Sequence, residues 1–154
     1  MRIEEKVSNI LIQAQKTVAI AESCTGGLLA NRLTNIPGSS LFLPFALVAY
    51  SNEAKMKLLK VPSATIKHYG AVSEQTATAM ANGSRKIFKT DFGIGITGIA
   101  GPTGGSKAKP VGLTYIAIST KLETLCLTCQ FCGIRTSIKS QAATQALRLL
   151  YEFL

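Results

Sequence analysis

The chain has no tryptophan, one histidine (His68), one aspartate (Asp91) and eight acidic residues against seventeen basic ones. Each shortage removes a class of chemistry. A Ser-His-Asp triad could draw only on His68 and Asp91, and neither lies in a segment with a nucleophile motif. His68, just before Tyr69-Gly70, reads as a structural residue or a substrate contact. A hydrolytic zinc site takes three protein ligands from His, Cys and carboxylates, and no such cluster is visible, so no metal or cofactor is expected. The few aromatics do not interleave with basic residues, as a platform for single-stranded nucleic acid would require. No segment approaches the ~20 apolar residues of a membrane helix. The longest candidate, residues 41–49, is interrupted by Pro44. Glu4 and Glu5 stand where a secretory signal would be basic, so a cytoplasmic protein without a membrane partner is expected.

What is present is enough to fold. The 154 residues, 47% hydrophobic and only 16% charged, suit one globular domain spanning residues 1–154 rather than a disordered tail. The formal net charge of +9 favours an anionic partner. Basic residues such as Lys55/Lys57, Arg85/Lys86 and Lys107/Lys109 are spread along the chain, so a solvated surface with a local anion site is preferred over a nucleic-acid interface. Cys126, Cys129 and Cys132 spell C-x-x-C-x-x-C. Residues 124–131 read as a strand, so Cys126 and Cys132 should face one way and Cys129 the other. Buried, unreactive thiols are expected there, without disulfides in a reducing compartment.

Ile3, Val7, Ile10 and Leu11 recur at helical spacing and predict a helix over residues 2–15. A β-branched run at 17–21 leads into a helix near 28–34. Pro37-Gly38 marks a turn, with Ser39 or Ser40 placed to cap a short helical segment. A strand is expected at 45–50, a helix at 52–59, and a long helix from about 73 to 88 capped by Ser73. Strands at 92–97, 111–119 and 124–131 follow, the last two as a hairpin, and residues 135–153 close the chain as a helix. The fold class is therefore α/β, a three-layer α/β/α domain with a mixed sheet.

Three segments place small and hydroxyl residues at strand ends, where open α/β sheets bind ligands. In Ala21-Glu22-Ser23-Cys24-Thr25-Gly26-Gly27 the glycines allow close approach, and the following helix would aim N–H groups at an anion. The same loop could be only a tight strand–helix turn, and it is not a Walker loop, because no lysine follows. Gly38-Ser39-Ser40 and Tyr50-Ser51-Asn52-Glu53-Ala54-Lys55 bring together a hydroxyl, a phenol and an amine, the parts of a Ser–Lys hydrolase. The bland alternative is that Ser40 caps a helix and Lys55 is solvated. Thr97-Gly98-Ile99-Ala100-Gly101-Pro102-Thr103-Gly104-Gly105 turns sharply after an apolar strand. Cys24 is a fallback nucleophile with no obvious base.

These segments, with Gly70-Ala71-Val72-Ser73-Glu74 and Lys109-Pro110-Val111-Gly112, resemble in order and spacing the CinA carboxy-terminal domain family of nicotinamide mononucleotide deamidases. The match covers nearly the whole chain and looks like the stand-alone form, without the additional amino-terminal domain of longer relatives. The resemblance implies hydrolysis of the carboxamide of nicotinamide mononucleotide, a phosphorylated pyridine nucleotide, in pyridine-nucleotide salvage. It implies Ser40, Tyr50 and Lys55 as the catalytic group. Ser23, Thr25, Gly26, Thr97 and Gly98 line the substrate site, with Arg135 as a natural phosphate partner. Ser40 would attack the carboxamide, neutral Lys55 would take its proton, and Tyr50 would orient Lys55 or relay the proton. Ser23 is the alternative nucleophile, since both serines belong to matching motifs. Two departures stand out: Ile134 where relatives often carry Asp, and Ala46 near a common glycine. A non-catalytic nucleotide-binding module and a DNA-damage-related accessory protein are the rival readings, and a homo-oligomer is compatible with the sequence.

Overall fold

The computed structural model describes residues 1–154. In chain order it contains α1 (Ile3–Ala14), β1 (Val18–Glu22), α2 (Leu28–Thr34), a 3-10 turn (Ser39–Leu41), β2 (Phe45–Val48), α3 (Asn52–Leu59) and α4 (Ser63–Tyr69). There follow α5 (Glu74–Phe88), β3 (Phe92–Gly98), β4 (Leu113–Ser119), β5 (Thr124–Gln130) and α6 (Arg135–Glu152). The five strands form one sheet in the order β2-β1-β3-β4-β5. β1 runs parallel to both β2 and β3, while β3, β4 and β5 are antiparallel neighbours. This is the expected mixed sheet between two helical layers.

Strand β3 shows why the layers sit where they do. Along Phe92-Gly93-Ile94-Gly95-Ile96, side chains alternate between the two faces of the sheet. Phe92, Ile94 and Ile96 join the main apolar core with residues of α1, α2 and α6. Gly93 and Gly95 face α5, and a β-carbon on either would collide with the Ala81 or Ala77 carbonyl. The glycines therefore let α5 lie directly on the sheet. On that side Ala77 and Ala81 meet Ala117 of β4. The start of α5 is capped as expected, with Ser73 Oγ accepting from the Thr76 amide at 3.1 Å.

Two local expectations change. Helix α4 was not foreseen: its seven residues include none that is fully buried, so it carries no apolar stripe to read. Among the thiols, Cys126 packs on the α5 side and Cys129 against the main core, as strand alternation requires. Burial pushes Cys126 up to about 12 and raises Cys129 as well. Cys132, however, lies past the end of β5 and is exposed, because the strand stops at Gln130 before the alternation reaches it. No helix is long and apolar enough to cross a membrane.

Candidate active site

The parallel pairing of β1 and β2 sets Glu22 opposite Val48, and the Ala49 amide continues the ladder by donating to the Glu22 carbonyl at 2.8 Å. Ser23 therefore leaves its strand beside Ala49 and Tyr50. The chain then enters α3, where Ser51 Oγ caps the helix by accepting from the Ala54 amide at 3.0 Å. That start turns Lys55 inward beneath both strand ends, where it is only 1% exposed. Its Nζ lies 3.0 Å from Ser23 Oγ, and it donates to the carbonyls of Ala49 at 2.9 Å and Tyr50 at 3.2 Å.

No carboxylate forms an ion pair with Lys55. Burial lowers its pKa from the ordinary lysine range, because removal from water penalises the ammonium. In the neutral amine, two N–H groups serve the two carbonyls. One lone pair is left for the Ser23 hydroxyl, which becomes the donor. This is the arrangement a Ser–Lys nucleophile requires.

Opposite Ser23, the Ala71-Val72 segment and the loop after β3 complete a hollow of about 260 Å³ that also includes Tyr50, Thr97, Gly98 and Arg135. Thr97 Oγ1 donates to the Ala71 carbonyl at 2.7 Å, which ties the two segments together. Arg135 reaches across the mouth from α6, donating to the Gly101 carbonyl at 2.6 Å and the Tyr50 hydroxyl at 3.0 Å. Tyr50 thus holds Lys55 through its main-chain carbonyl, while its phenol belongs to Arg135. The amide of Cys24 on one wall, and those of Ala100 and Gly101 on the other, have no acceptor in the protein. They are the N–H groups available to a developing oxyanion.

The structure separates Ser40 from this group. Ser40 is exposed on the 3-10 turn and does not line the hollow. The turn precedes β2, and the neighbouring Phe42 carbonyl accepts from the Val18 amide at the start of β1. Lys55 follows the opposite end of β2. A four-residue strand at ~3.3 Å per residue therefore lies between them, and the expected Ser40–Lys55 pair is corrected to Ser23–Lys55. Ser40 also caps no helix; Gly38, in the left-handed conformation, precedes the turn.

The expected anion cradle at the start of α2 is likewise corrected. It is filled from within: the buried Glu22 carboxylate accepts from the amides of Gly27, Leu29 and Ala30 at 3.1, 3.2 and 2.9 Å. Thr25 and Gly26 line a second, adjoining hollow instead of the first. Ser23, Tyr50, Lys55, Thr97, Gly98 and Arg135 do converge.

Other candidates fall away. His68 is exposed on α4 and lines no part of the hollow. Asp91 sits at the far end of β1 and β3, accepting from the Thr17 amide, the Thr17 hydroxyl and Lys16. Cys24 is buried, which pushes its thiol up to about 11. Nowhere do three His, Cys, Asp or Glu side chains gather in a metal-binding arrangement. Sequence reading missed the Ala71-Val72 wall and the role of Glu22. The unbroken apolar run of β1 was a usable signal for Glu22: a glutamate ending an otherwise apolar buried strand needs partners.

Comparison with known proteins follows the same outline. The model of the CinA C-terminal domain matches residues 1–154. A CinA-like protein from Syntrophus aciditrophicus (strain SB) is 47% identical over 153 residues, covering 99% of this chain and 36% of that protein. One from Endomicrobium trichonymphae is 48% identical over 141 residues, covering 92% and 33%. The chain thus spans about a third of the length of these relatives. Among solved structures, the competence/damage inducible protein CihA from Agrobacterium tumefaciens superposes with a TM-score of 0.95 at 38% identity, covering 97% of this chain and 92% of its own. A CinA superfamily protein from Escherichia coli gives 0.94 at 34% identity, covering 99% and 88%.

Proposed function

This chain belongs to the CinA C-terminal domain family, and from that premise we propose that it is a metal-independent amidohydrolase converting nicotinamide mononucleotide to nicotinic acid mononucleotide and ammonia. The observation that carries the reading is Lys55, buried without a carboxylate and 3.0 Å from Ser23 Oγ. Taking an unpaired cation out of water costs several kcal/mol, and a module that only binds a nucleotide gains nothing from it. A base that must be neutral does.

Ser23 attacks the carboxamide carbon as its proton passes to Lys55. Amides of the two loops stabilise the tetrahedral oxyanion. Lys55 returns the proton to the nitrogen as the C–N bond breaks and ammonia leaves. A water molecule, deprotonated by the same amine, then hydrolyses the acyl-Ser23 ester, releasing the carboxylate product and restoring the serine. The hollow of about 260 Å³ is smaller than the ~300–1,000 Å³ of sites that enclose drug-sized ligands. It suits a pyridine carboxamide, with the remaining nucleotide extending outside it. The role is salvage of pyridine nucleotides in the cytoplasm.

The test is ammonia release from nicotinamide mononucleotide by the purified chain after exhaustive chelation, with nicotinic acid mononucleotide formed in equal amount. No ammonia above an Ser23→Ala control rejects the reading. Activity lost on chelation and restored by zinc rejects its metal-independent form.

A further inference from the structure

We propose that Lys109 is a positioning residue for the reaction, a latch that fixes the loop after β3 against the Ala71-Val72 wall. Its part in catalysis rests on the reading of Ser23 and Lys55 given above, whereas the latch rests on the geometry of the loop alone.

The loop between β3 and β4 is closed at its foot. There the Ile99 amide donates to the Leu113 carbonyl at 2.9 Å, and the Gly112 amide to the Ile99 carbonyl at 2.7 Å. Beyond that foot, no amide from Ala100 to Gly105 donates to a main-chain carbonyl. Yet Ile99, Ala100, Gly101, Thr103 and Gly104 line the hollow, and two of these residues offer their amides to the oxyanion. The segment has no ladder of its own to hold it, and a displacement of ~1 Å at a reacting group can cost about a hundredfold in rate. Contacts from outside the segment must fix it.

Arg135 holds one flank, through the Gly101 carbonyl. Lys109 holds the other. Its main chain closes a turn after the glycine-rich stretch: its carbonyl accepts from the Ser106 amide at 2.8 Å, and its amide donates to Ser106 Oγ at 3.0 Å. From that turn the side chain crosses to α4, where Nζ donates to the Tyr69 carbonyl at 2.6 Å. Tyr69 is the last residue of α4, so the ammonium meets a carbonyl left unpaired by the helix, at the negative end of its dipole. No carboxylate forms an ion pair with Lys109 to draw it away. Gly70, with φ +80°, leaves room for it: a β-carbon there would stand 3.1 Å from Nζ.

The strip Tyr69-Gly70-Ala71 is thus held at three successive carbonyls. Lys109 takes the first, the Ser73 and Thr76 hydroxyls take the second at 3.0 and 2.7 Å, and the Thr97 hydroxyl takes the third at 2.7 Å. The Ser73 and Thr76 bonds are local to the strip. Thr97 and Lys109 reach it from before and after the glycine-rich segment, so both ends of that segment are tied to one piece of chain. Lys109 does not itself line the hollow, so it acts through the loop and not on the substrate.

The experiment compares the wild-type chain with Lys109→Met, Lys109→Arg and the control Lys107→Met. The control removes an equal charge from an exposed side chain of the same loop that forms no ion pair. With nicotinamide mononucleotide, Lys109→Met is expected to lower kcat roughly 10–100-fold, short of the ~10²–10³ lost when an oxyanion donor is removed outright. KM should change little, and the pH midpoint of kcat/KM should stay at its wild-type position, because Lys55 is untouched. Lys109→Arg should recover most of kcat, since a guanidinium can donate to the same carbonyl, and Lys107→Met should match wild type. No loss in Lys109→Met, an equal loss in Lys107→Met, or a loss carried by KM overturns the assignment.

Subtilisin nicking, with the cut sites mapped by mass, reads the latch without any substrate. Cuts within residues 100–109 should appear several-fold faster in Lys109→Met than in wild type or Lys107→Met, as local opening becomes easier, with the melting temperature close to wild type. Unchanged nicking overturns the latch whatever the kinetics show. Should the wild-type chain release no ammonia, the reading of the reaction centre fails by itself. Faster nicking in Lys109→Met then sustains the latch as a clamp on the hollow and removes only its part in this reaction; unchanged nicking rejects both.

Discussion

At the carboxyl end of β1, Ser23 is 8% exposed and within hydrogen-bonding distance of an unpaired lysine. At the opposite end of the neighbouring strand, Ser40 stands in water on a 3-10 turn. Both sit in runs of small residues, Ser23-Cys24-Thr25-Gly26-Gly27 and Gly38-Ser39-Ser40. Burial and register separate them. A serine hydroxyl becomes a useful nucleophile only beside a base that is neutral near working pH, and only the strand end at Ser23 lies beside an amine whose pKa burial lowers.

The largest expected effect is therefore at Ser23. Ser23→Ala should lower kcat on the order of 10⁴-fold or more, as removal of a nucleophile does elsewhere, while the product still binds. A dead Ser40→Ala beside an active Ser23→Ala would break the comparison outright.

Lys55 comes next. Lys55→Met and Lys55→Arg should each cost roughly 10²–10⁴-fold, the usual contribution of a general base, since guanidinium keeps the charge but does not deprotonate in this range. Wild-type kcat/KM should rise with pH through the lowered pKa of Lys55. The same shift appears in stability. The folded state holds the amine less protonated than the unfolded chain, whose lysine titrates near ~10.4. The unfolded state thus binds more protons between the two values, and stability rises with pH across that window. Melting curves of Lys55→Met should lie above wild type below the folded pKa, with the gap closing towards pH ~10.4. A gap independent of pH would mean that Lys55 is not penalised by burial.

Glu22→Gln is a smaller change. It keeps the shape of the plug at α2 but weakens three amide contacts to a carboxylate. A loss of roughly 1–3 kcal/mol in chemical denaturation is expected, with activity reduced less than tenfold because Ser23 remains attached to β1. Smallest of all is Ser40→Ala, expected within twofold of wild type in kcat/KM and within ±0.5 kcal/mol in stability, as for an exposed side chain without partners.

Much of the fold was legible because its signals are periodic. The apolar run of residues 92–97, the helical spacing of Ile3, Val7 and Leu11, and the Ser73 cap all survive into the structure with boundaries moved by a residue or two. Helix α4 had no periodic signal because none of its residues is fully buried and Ile66 alone packs on an apolar cluster. At the site, the strand-end motifs found Ser23, Tyr50, Lys55, Thr97 and Gly98, and the family resemblance added Arg135. Which serine meets the lysine depended on the β1–β2 register, a long-range pairing that no local spacing encodes. The glycine loop was read as a cradle for an external anion because nothing in Glu22-Ser23-Cys24-Thr25-Gly26-Gly27 says that the carboxylate folds back onto the amides that follow it.

Lys55 carries one further consequence. An amine that sheds its proton to act as a base is also nucleophilic towards small electrophiles, and Lys55 lines a hollow of about 260 Å³. Slim reagents such as cyanate are expected to carbamoylate it faster than bulky amine-directed labels, because its Nζ lies at the floor of a hollow bordered by Tyr50 and Arg135. The device that prepares the site for chemistry thus exposes it to covalent inactivation by the smallest carbonyl electrophiles, and occupancy of the hollow by ligand is its shield.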